Sequence, residues 1–412
     1  MGKEAVNMNI KNKTKPTFSL WEVIVIVVVT SIIMISVTGY ISFRREGGIN
    51  YRELINNPHI SEFISTYNTI VNNFFDEVDE AALIDAAING MLSELDDPHT
   101  TLLDRQNSEH LIDTLRGTYQ GVGILISDQL GVPLIIQVFE ESPAERAGVL
   151  AGDIIRYLND TDVSEKSATE IVEMIRGRGN RQIEMLIERE GEEDLVEFQL
   201  SKGTIVIPQV HSETFEQNNQ LVGYLRVDVF SENIASQFRR RLLELEQLNI
   251  DSLIIDLRNN TGGYLLGANE IASMFLEEGA IIYQLRQRNA TTMERVTTSE
   301  SRNIPVYILI NGNTASASEI LAAALRDSYS GDVLLIGETS FGKGLIQTTS
   351  VLSSGAMIRY SNAEWLTPKG EIVNDIGLVP DVLIRFELEE GQEFNFQNDN
   401  QLQEAIRRIS QR

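Results

Sequence analysis

Residues 51–112 carry apolar side chains at the spacing of helical faces. One such series comprises Ile60, Phe63, Ile64 and Tyr67, and another lies within residues 82–91. Side chains three and four positions apart lie on one face of a helix, so this pattern predicts helices. The Asp-Asp-Pro sequence at 96–98 ends the pattern. The region fits a small packing or dimerisation unit.

The pattern changes to short apolar strands in residues 115–203. A glycine turn at Gly121–Ile124 opens a strand, and Gln182–Ile187 is a second predicted strand. A short helix is predicted near Ala168–Ile175. This region is therefore rich in β-structure, with helical insertions.

Residues 204–385 alternate buried strands with helices. The predicted strands are Leu221–Val227, Ser252–Leu257, Val306–Ile310 and Val333–Ile336. The predicted helices are Ile234–Leu248, Leu265–Phe275 and Ala317–Asp327. Alternation of this kind predicts an α/β layered core. The tail after Phe386 is polar and acidic, and a short helix is expected at Gln401–Ile409.

An uncharged apolar run extends from Val23 to Phe43 near the N-terminus. Its 21 residues would span roughly 31 Å as a helix, close to the thickness of a bilayer core. Four lysines precede the run and favour a cytoplasmic N-terminus, although two arginines follow it. We expect a transmembrane signal anchor at 18–43. A cleaved signal peptide is the alternative, but no A-x-A site follows.

The composition excludes several classes of function. A net charge of −26 over 412 residues argues against a nucleic-acid partner, because phosphate binding needs a basic surface. The absence of cysteine excludes disulfides, thiolate catalysis and zinc–thiolate sites. The four histidines lack the HExxH spacing, so no metal site is expected; they are His59, His99, His110 and His211.

A candidate nucleophile lies between a predicted strand and a predicted helix. Ser316, within TASASEI at 314–320, would stand at the N-terminus of the helix, where backbone N–H groups are unpaired. The N–H of Ala317 would face an oxyanion, and Gly262 or Gly263 would supply a second donor. The simpler interpretation is that these hydroxyl residues only cap the helix.

A candidate base lies downstream in the sequence FGKGLIQ at 341–347. Desolvation lowers the pKa of a lysine, and a neutral Lys343 can accept the serine proton. Gln347, four residues later, would orient the lysine as an acceptor. The alternatives are an exposed, inert lysine on a glycine turn and a phosphate loop, but GxxxxGK[ST] is absent.

The order of elements in residues 113–203 resembles a PDZ domain of the permuted type found in bacterial proteases. The specific part of the match is SPAERAG at 142–148 followed by AGDII at 151–155. The resemblance implies that backbone N–H groups of Gly121, Val122, Gly123 and Ile124 bind a peptide carboxylate while the peptide adds a strand to the sheet. It also suggests that Arg176 couples peptide binding to the protease, although a solvated helix-end arginine is an equal interpretation.

Residues 50–390 resemble the carboxyl-terminal processing proteases, the tail-specific Ser/Lys peptidases of family S41. The motifs that carry the resemblance are DLRNNTGG at 256–263, TASASEI, FGKGLIQ, WLTPKG at 365–370 and GLVPDV at 377–382. The family's nucleophile falls on Ser316, with Ser318 as the alternative because the following segment is about two residues longer than expected. Its lysine falls on Lys343 and its glutamine on Gln347. Its oxyanion glycine falls on Gly262 or Gly263, with Gly262 favoured.

These observations predict a multidomain α/β protein. The expected parts are a cytoplasmic N-terminus (1–17), a transmembrane anchor (18–43), a helical segment (44–112), a PDZ domain with two helices (113–203), a layered protease core of the ClpP/crotonase type (204–388) and a C-terminal tail (389–412). A homodimer through the helical segment and the tail stays open.

The expected function is a membrane-anchored serine endopeptidase that acts outside the bacterial cytoplasm on proteins with accessible C-termini. It would work through an acyl-enzyme and would need neither metal nor nucleotide. A catalytically inactive PDZ adaptor at the membrane is the first alternative. A β-lactamase-like acyl hydrolase is the second, but its SxxK motif is absent because Glu319 stands three residues after Ser316.

Overall fold

The computed structural model describes residues 56–129, 131–177, 182–388 and 395–411. The chain divides into two compact units, Met1–Ala87 and Ile88–Arg412. The predicted cytoplasmic segment (1–17) and transmembrane anchor (18–43) lie outside the described residues. Within the described ranges, no helix has both the length and the apolar character needed to cross a bilayer.

The predicted helices of the N-terminal segment are α1 (Pro58–Asn73) and α2 (Glu80–Ser93). The side chain of Asn57 accepts a hydrogen bond from the N–H of His59, and Pro58 occupies the first turn, so α1 begins with a favourable cap. Neither α1 nor α2 contains a buried residue. Their apolar faces, including Phe63, Ile64 and Met91, are therefore exposed.

The end of this segment departs from the helical prediction. A short strand, β1 (Thr101–Leu103), precedes helix α3 (Arg105–Arg116), which crosses the predicted domain boundary at 112. Three residues are too few to show a strand period, and β1 exists because it pairs with a distant strand, with Thr101 opposite Arg359. Such long-range pairing leaves no local signal in the sequence.

The PDZ domain predicted at 113–203 corresponds to strands and helices that lie within residues 118–206. Its strands are β2 (Thr118–Gly121), β3 (Ile124–Ser127), β4 (Leu134–Val138), β5 (Ile154–Leu158), β6 (Thr161–Asp162), β7 (Gln182–Glu188), β8 (Val196–Ser201) and β9 (Gly203–Val206). The helices among its described residues are α4 (Pro143–Ala147) and α5 (Ala168–Arg176), in line with the two helices predicted. The main sheet has the order β3-β4-β5-β7-β8, so β3 is an edge strand. Ile135, Ile155 and Ile171 belong to its own buried core.

The layered core is a six-stranded sheet of order β10-β11-β12-β15-β16-β19. These strands are β10 (Val210–Gln217), β11 (Gln220–Val227), β12 (Ser252–Asp256), β15 (Val306–Ile310), β16 (Val333–Gly337) and β19 (Val382–Leu383). All neighbours are parallel except β10 and β11. Every residue of β12 and β15 is buried, as expected for strands covered on both faces.

Helices cover the two faces of this sheet. The helices are α6 (Ile234–Gln247), α7 (Leu265–Ser273), α8 (Ala317–Ser328) and α9 (Asn400–Ile409). Ile255 and Ile308 pack in one core with residues of α6, α7 and α8. Ile254 and Tyr307 pack in a second core with residues of α9. Alternate side chains of each strand therefore pack against helices on opposite faces of the sheet, which confirms the predicted α/β core.

A second sheet is antiparallel and has the order β1-β18-β13-β14, with β17 also paired to β18. Its remaining strands are β13 (Ile281–Gln287), β14 (Ala290–Arg295), β17 (Leu345–Val351) and β18 (Met357–Leu366). Strand β17 begins two residues after Lys343 and includes Gln347. The C-terminal tail returns to the first sheet, because α9 packs on β15 and β16.

Candidate active site

The candidate catalytic residues follow the carboxyl ends of three adjacent parallel strands. Residues 257–263 follow β12, residues 311–316 follow β15, and residues 338–344 follow β16. The three strands are neighbours in the sheet, so their following loops meet at one edge. Open α/β sheets characteristically place their binding sites at this edge. The sheet order, rather than sequence proximity, assembles the site.

Ser316 occupies the N-cap position of α8 with φ 58° and ψ −120°. This backbone conformation is rare for a residue with a side chain, and such strain concentrates at functional sites. Its N–H donates to Glu319 Oε2 at 2.7 Å, and its side chain is partly exposed. Ser318, in contrast, is fully buried, and its hydroxyl donates to the carbonyl of Asn260 at 3.0 Å. The two candidate serines therefore differ in accessibility.

Backbone donors lie beside Ser316. The N–H of Ala317, the first residue of α8, has no acceptor among the residues described. A Cβ atom on Gly262 would lie 2.8 Å from Ala317 N and 2.8 Å from Ser316 Cβ. Only glycine therefore leaves open the space in front of the Ala317 N–H. Its φ of 93° also favours glycine.

The two adjacent glycines use their amides differently. The N–H of Gly262 donates to Asn260 Oδ1 at 2.9 Å, whereas the N–H of Gly263 has no acceptor within the described ranges. Asn260 is itself fixed, since its Nδ2 donates to the carbonyl of Val227 at 2.7 Å. In this conformation Gly262 shapes the pocket and Gly263 carries the unpaired amide. The sequence alone favoured Gly262 as the donor.

Lys343 is partly buried, and its Nζ lies 3.3 Å from Gln347 Oε1. Burial lowers the pKa of Lys343 because it disfavours the charged form, and the positive charge of Arg359 lowers it further. The negative charges of Glu319 and Asp97 oppose this shift. The net direction is downward, which favours the neutral amine that a general base requires.

The glycines on either side of Lys343 are needed for close packing. A Cβ on Gly344 would lie 2.5 Å from Asn374 Cβ, and a Cβ on Gly342 would lie 2.8 Å from Gly377 N. Gly342 also has φ 88°. The lysine loop therefore lies directly against residues 373–377. This packing fixes the path of the backbone that carries Lys343.

Gln347 is held between Lys343 and the segment that precedes β1. Its Nε2 donates to the backbone carbonyl of His99 at 2.8 Å. Because a carbonyl can only accept, this bond turns Oε1 towards Lys343 Nζ. The contact joins residues 248 positions apart in the sequence, so sequence reasoning had no signal for His99.

Glu319 is the residue that sequence reasoning did not assign to the site. Its side chain is fully buried and accepts four hydrogen bonds from two loops. The donors are Ser316 N, Ser340 Oγ, Gly342 N and Lys343 N. No hydrogen bond joins Ser316 Oγ to Lys343 Nζ in the described chain, but both backbones bind the same oxygen of Glu319. The S-x-x-E spacing of a capping box was the available signal.

The glycine loop of the PDZ-like region connects β2 to the edge strand β3. Gly121 ends β2, Ile124 begins β3, and the N–H groups of Val122 and Gly123 have no acceptor in the part of the chain described. Gly123 has φ 87° and packs on Ser142, where a Cβ would lie 2.2 Å from the serine Cβ. The loop therefore holds two unpaired donors beside an edge strand, and its four residues are buried in this conformation.

Arg176 is the last residue of α5, and its guanidinium lies 5.1 Å from the centre of the Tyr119 ring. This is a cation–π distance. Tyr119 lies on β2, which pairs with β9 just before the chain enters the layered core. Arg176 therefore contacts the strand that leads to the carboxylate loop.

Three family comparisons match consecutive parts of the chain. Residues 221–384 match peptidase family S41, residues 134–189 match the PDZ domain, and residues 49–107 match the N-terminal domain of the activating protease CtpB. The matches follow the order predicted from the sequence.

Curated relatives extend these matches over most of the chain. The carboxy-terminal processing protease CtpB of Bacillus subtilis (strain 168) is 33% identical over 320 residues, which cover 77% of this chain and 66% of that protein. The carboxy-terminal processing protease CtpA of the same organism is 32% identical over 318 residues, which cover 77% of this chain and 67% of that protein. A probable CtpA-like serine protease of Staphylococcus epidermidis (strain ATCC 12228 / FDA PCI 1200) is 30% identical over 383 residues, covering 91% of this chain and 75% of that protein. The chain thus spans about two thirds of the length of the two Bacillus relatives.

Proposed function

The chain belongs to the carboxy-terminal processing proteases of peptidase family S41, which are serine-type peptidases, and we propose that it cleaves proteins with Ser316 as nucleophile and Lys343 as base. The observation that carries this proposal is the meeting of three strand ends. It brings together an accessible serine at a helix N-terminus, unpaired backbone donors and a lysine with a lowered pKa.

The reaction begins with neutral Lys343 accepting the proton of Ser316 Oγ while that oxygen attacks the carbonyl carbon of the scissile peptide bond. The N–H groups of Ala317 and Gly263 stabilise the oxyanion that forms. Protonated Lys343 then gives its proton to the departing amine, which leaves an acyl-enzyme on Ser316. Water attacks this ester while Lys343 accepts a proton from the water. The C–O bond to Ser316 then breaks, Lys343 returns the proton to Ser316 Oγ, and the acid is released.

The side chains of Ser316 and Lys343 must approach before proton transfer. They share no hydrogen bond in the described chain, although Glu319 holds their backbones together. Catalytic hydrogen bonds commonly tighten only when substrate binds. We therefore expect substrate to bring Ser316 Oγ onto Lys343 Nζ, with Gln347 holding the amine in place.

Substrate delivery is assigned to the PDZ domain. A protein C-terminus would pair with the open edge of β3, and its carboxylate would accept hydrogen bonds from the N–H groups of Val122 and Gly123. Arg176 contacts Tyr119 beside this loop and would couple the binding of a peptide in the PDZ domain to the activity of the protease core. Loss of peptide stimulation in Arg176→Ala supports this coupling, and unchanged stimulation rejects it.

We also propose that the apolar run at 18–43 anchors the protein in the cell membrane and that the catalytic part acts outside the bacterial cytoplasm. The lysines before the run support this orientation. Protease added outside intact cells should then degrade the catalytic part. Protection of that part in intact cells, with degradation only after lysis, would reject the orientation.

A homodimer is the partner proposed for the N-terminal helices. Helices in proteins gain most of their stability from packing an apolar face, yet α1 and α2 contain no buried residue. A second copy would cover Phe63 and Ile64 on α1. Sedimentation analysis should show a dimer that Phe63→Glu converts to a monomer. A monomeric wild-type protein would remove this proposal.

The test of the function uses the full chain in detergent with β-casein as an unfolded substrate at neutral pH. Ser316→Ala and Lys343→Ala should abolish cleavage, whereas Ser318→Ala, the matched control, should retain it. Cleavage that survives Ser316→Ala would reject the assignment of the nucleophile. An absence of cleavage by wild type, even with added C-terminal peptides, would favour a non-catalytic PDZ adaptor.

A further inference from the structure

We infer that Glu319 is a positioning residue that holds the nucleophile loop and the base loop in one arrangement and tunes Lys343 for proton transfer. This inference rests on the proposed function and adds a component to it. Glu319 does not contact the reacting atoms in the structure, so its effect passes through the backbone of Ser316 and the charge of Lys343.

The hydrogen bonds of Glu319 divide between its two oxygens. Oε1 accepts from Ser340 Oγ at 2.5 Å and from Gly342 N at 2.7 Å. Oε2 accepts from Ser316 N at 2.7 Å and from Lys343 N at 3.0 Å. One carboxylate therefore links the start of its own helix to the loop after β16. Three of the four donors lie outside the ordinary reach of a capping box, which joins only the cap and its own helix.

Only a carboxylate meets this set of donors. An ionised carboxylate is an acceptor at both oxygens, whereas a glutamine amide would direct N–H groups at other N–H groups. A buried charge is tolerated only when it is paired or well hydrogen-bonded, and the four bonds supply that compensation. Burial raises the pKa of Glu319, and the bonds from Ser340, Gly342, Ser316 and Lys343 oppose that rise.

The same carboxylate holds the unusual backbone of Ser316. A non-glycine residue at φ 58° and ψ −120° persists only where its surroundings impose that conformation. The bond from Ser316 N to Glu319 acts on the residue that carries the strain. Release of this bond would let the serine relax away from the donors at Ala317 and Gly263.

The charge of Glu319 also faces Lys343. The charged neighbours of the lysine are Arg359 on β18, Glu319 on α8 and Asp97 before β1. Arg359 and burial lower the pKa of Lys343, while the two acids raise it. Asp97 in turn interacts with the charge of His99. An ionised Glu319 therefore stabilises the protonated lysine that forms during the reaction, and its removal shifts the lysine pKa down.

The experiment measures acylation of the full chain in detergent by a fluorophosphonate probe across a pH series. Wild type is compared with Glu319→Gln, Glu319→Asp and the control Glu338→Gln. Glu338 lies in the same loop as Ser340, and within the described ranges its carboxylate makes no hydrogen bond or ion pair. Circular dichroism and thermal unfolding of each variant report whether the fold is kept.

For Glu319→Gln we expect the plateau rate to fall by about a hundredfold, because a displacement near 1 Å can have an effect of that size. The midpoint of its acid limb should move to lower pH. Glu319→Asp keeps the charge but is shorter, so its plateau should fall while its midpoint stays near that of wild type. Glu338→Gln should match wild type in both.

A Glu319→Gln plateau within about twofold of wild type would overturn the inference. So would a lowered plateau with an unmoved midpoint, which a purely structural role predicts. If Glu319→Gln does not fold, Glu319→Asp decides, and an unchanged plateau there rejects the inference. If the Ser316→Ala variant is labelled as well as wild type, the proposed function is rejected, and the inference with it.

Discussion

The strained backbone of Ser316 makes a stability prediction that is independent of substrate. Ser316→Ala and Ser316→Gly both remove the hydroxyl, and both keep the N–H bond to Glu319. They differ in how they tolerate φ 58° and ψ −120°. Glycine adopts this conformation freely, whereas alanine retains the steric strain of a Cβ atom.

The magnitude follows from two opposing terms. Relief of strain favours the glycine variant by about 1–3 kcal/mol, and the greater freedom of glycine in the unfolded chain disfavours it by about 0.5–1 kcal/mol. The difference of the two terms is about 0–2.5 kcal/mol, and we expect Ser316→Gly to be more stable than Ser316→Ala by the central part of that range, about 1–2 kcal/mol. For a domain of this size that corresponds to a rise in Tm of roughly 2–8 °C.

Scanning calorimetry of the core transition measures this difference. The matched control is Ser318, two residues further into α8, where helical backbone reverses the expected order. Ser318→Gly should be less stable than Ser318→Ala by up to about 1 kcal/mol. A Ser316→Gly variant that is no more stable than Ser316→Ala would refute the claim of stored strain.

Three further predictions concern the pocket, the base and the tail. Gly262→Ala should lower kcat by about a hundredfold or more, because the new methyl group fills the space beside the N–H of Ala317, a proposed oxyanion donor. An unchanged kcat would show that the oxyanion does not form in that space. Activity should fall in acid as Lys343 is protonated. Arg359→Gln should raise the pH midpoint of this fall, because loss of the positive neighbour raises the pKa of Lys343; an unmoved pH midpoint would contradict this. Asp399→Asn should lower the free energy of unfolding by about 1–3 kcal/mol in urea titrations, because Arg258 loses a buried partner at 2.6 Å; an unchanged urea midpoint would show the pair to be neutral.

Much of the core could be predicted from local patterns. Helix α8 was expected at Ala317–Asp327 and extends over Ala317–Ser328, and strand β15 lies at Val306–Ile310 as expected. The strand prediction succeeds because the run VYILI is apolar at every position, as a doubly covered strand requires. The placement of Ser316 at the start of a helix followed from the same boundaries.

Features made by distant contacts could not be predicted. Strand β1 depends on pairing with β18, and the orientation of Gln347 depends on the carbonyl of His99. The N–H of Gly263 is the unpaired one because the side chain of Asn260 accepts the hydrogen bond from the N–H of Gly262. Arg258 stood in a recognised motif, yet its buried partner Asp399 comes from the tail, 141 residues away.

The role of Glu319 was missed for a different reason. Its spacing from Ser316 fits a capping box, which explains the residue without any function. Only the folded chain shows that the loop after β16 adds three donors to the same carboxylate. A local motif and a site component were therefore indistinguishable in the sequence.

The most direct measurement of the central claim is the site of covalent labelling. The full chain would be treated with a fluorophosphonate probe, digested and mapped by mass spectrometry, with Lys343→Ala alongside. The account predicts an adduct on Ser316 in wild type and little or none in Lys343→Ala. An adduct on Ser318, or equal labelling of Ser316 without the lysine, would contradict a Ser316–Lys343 dyad.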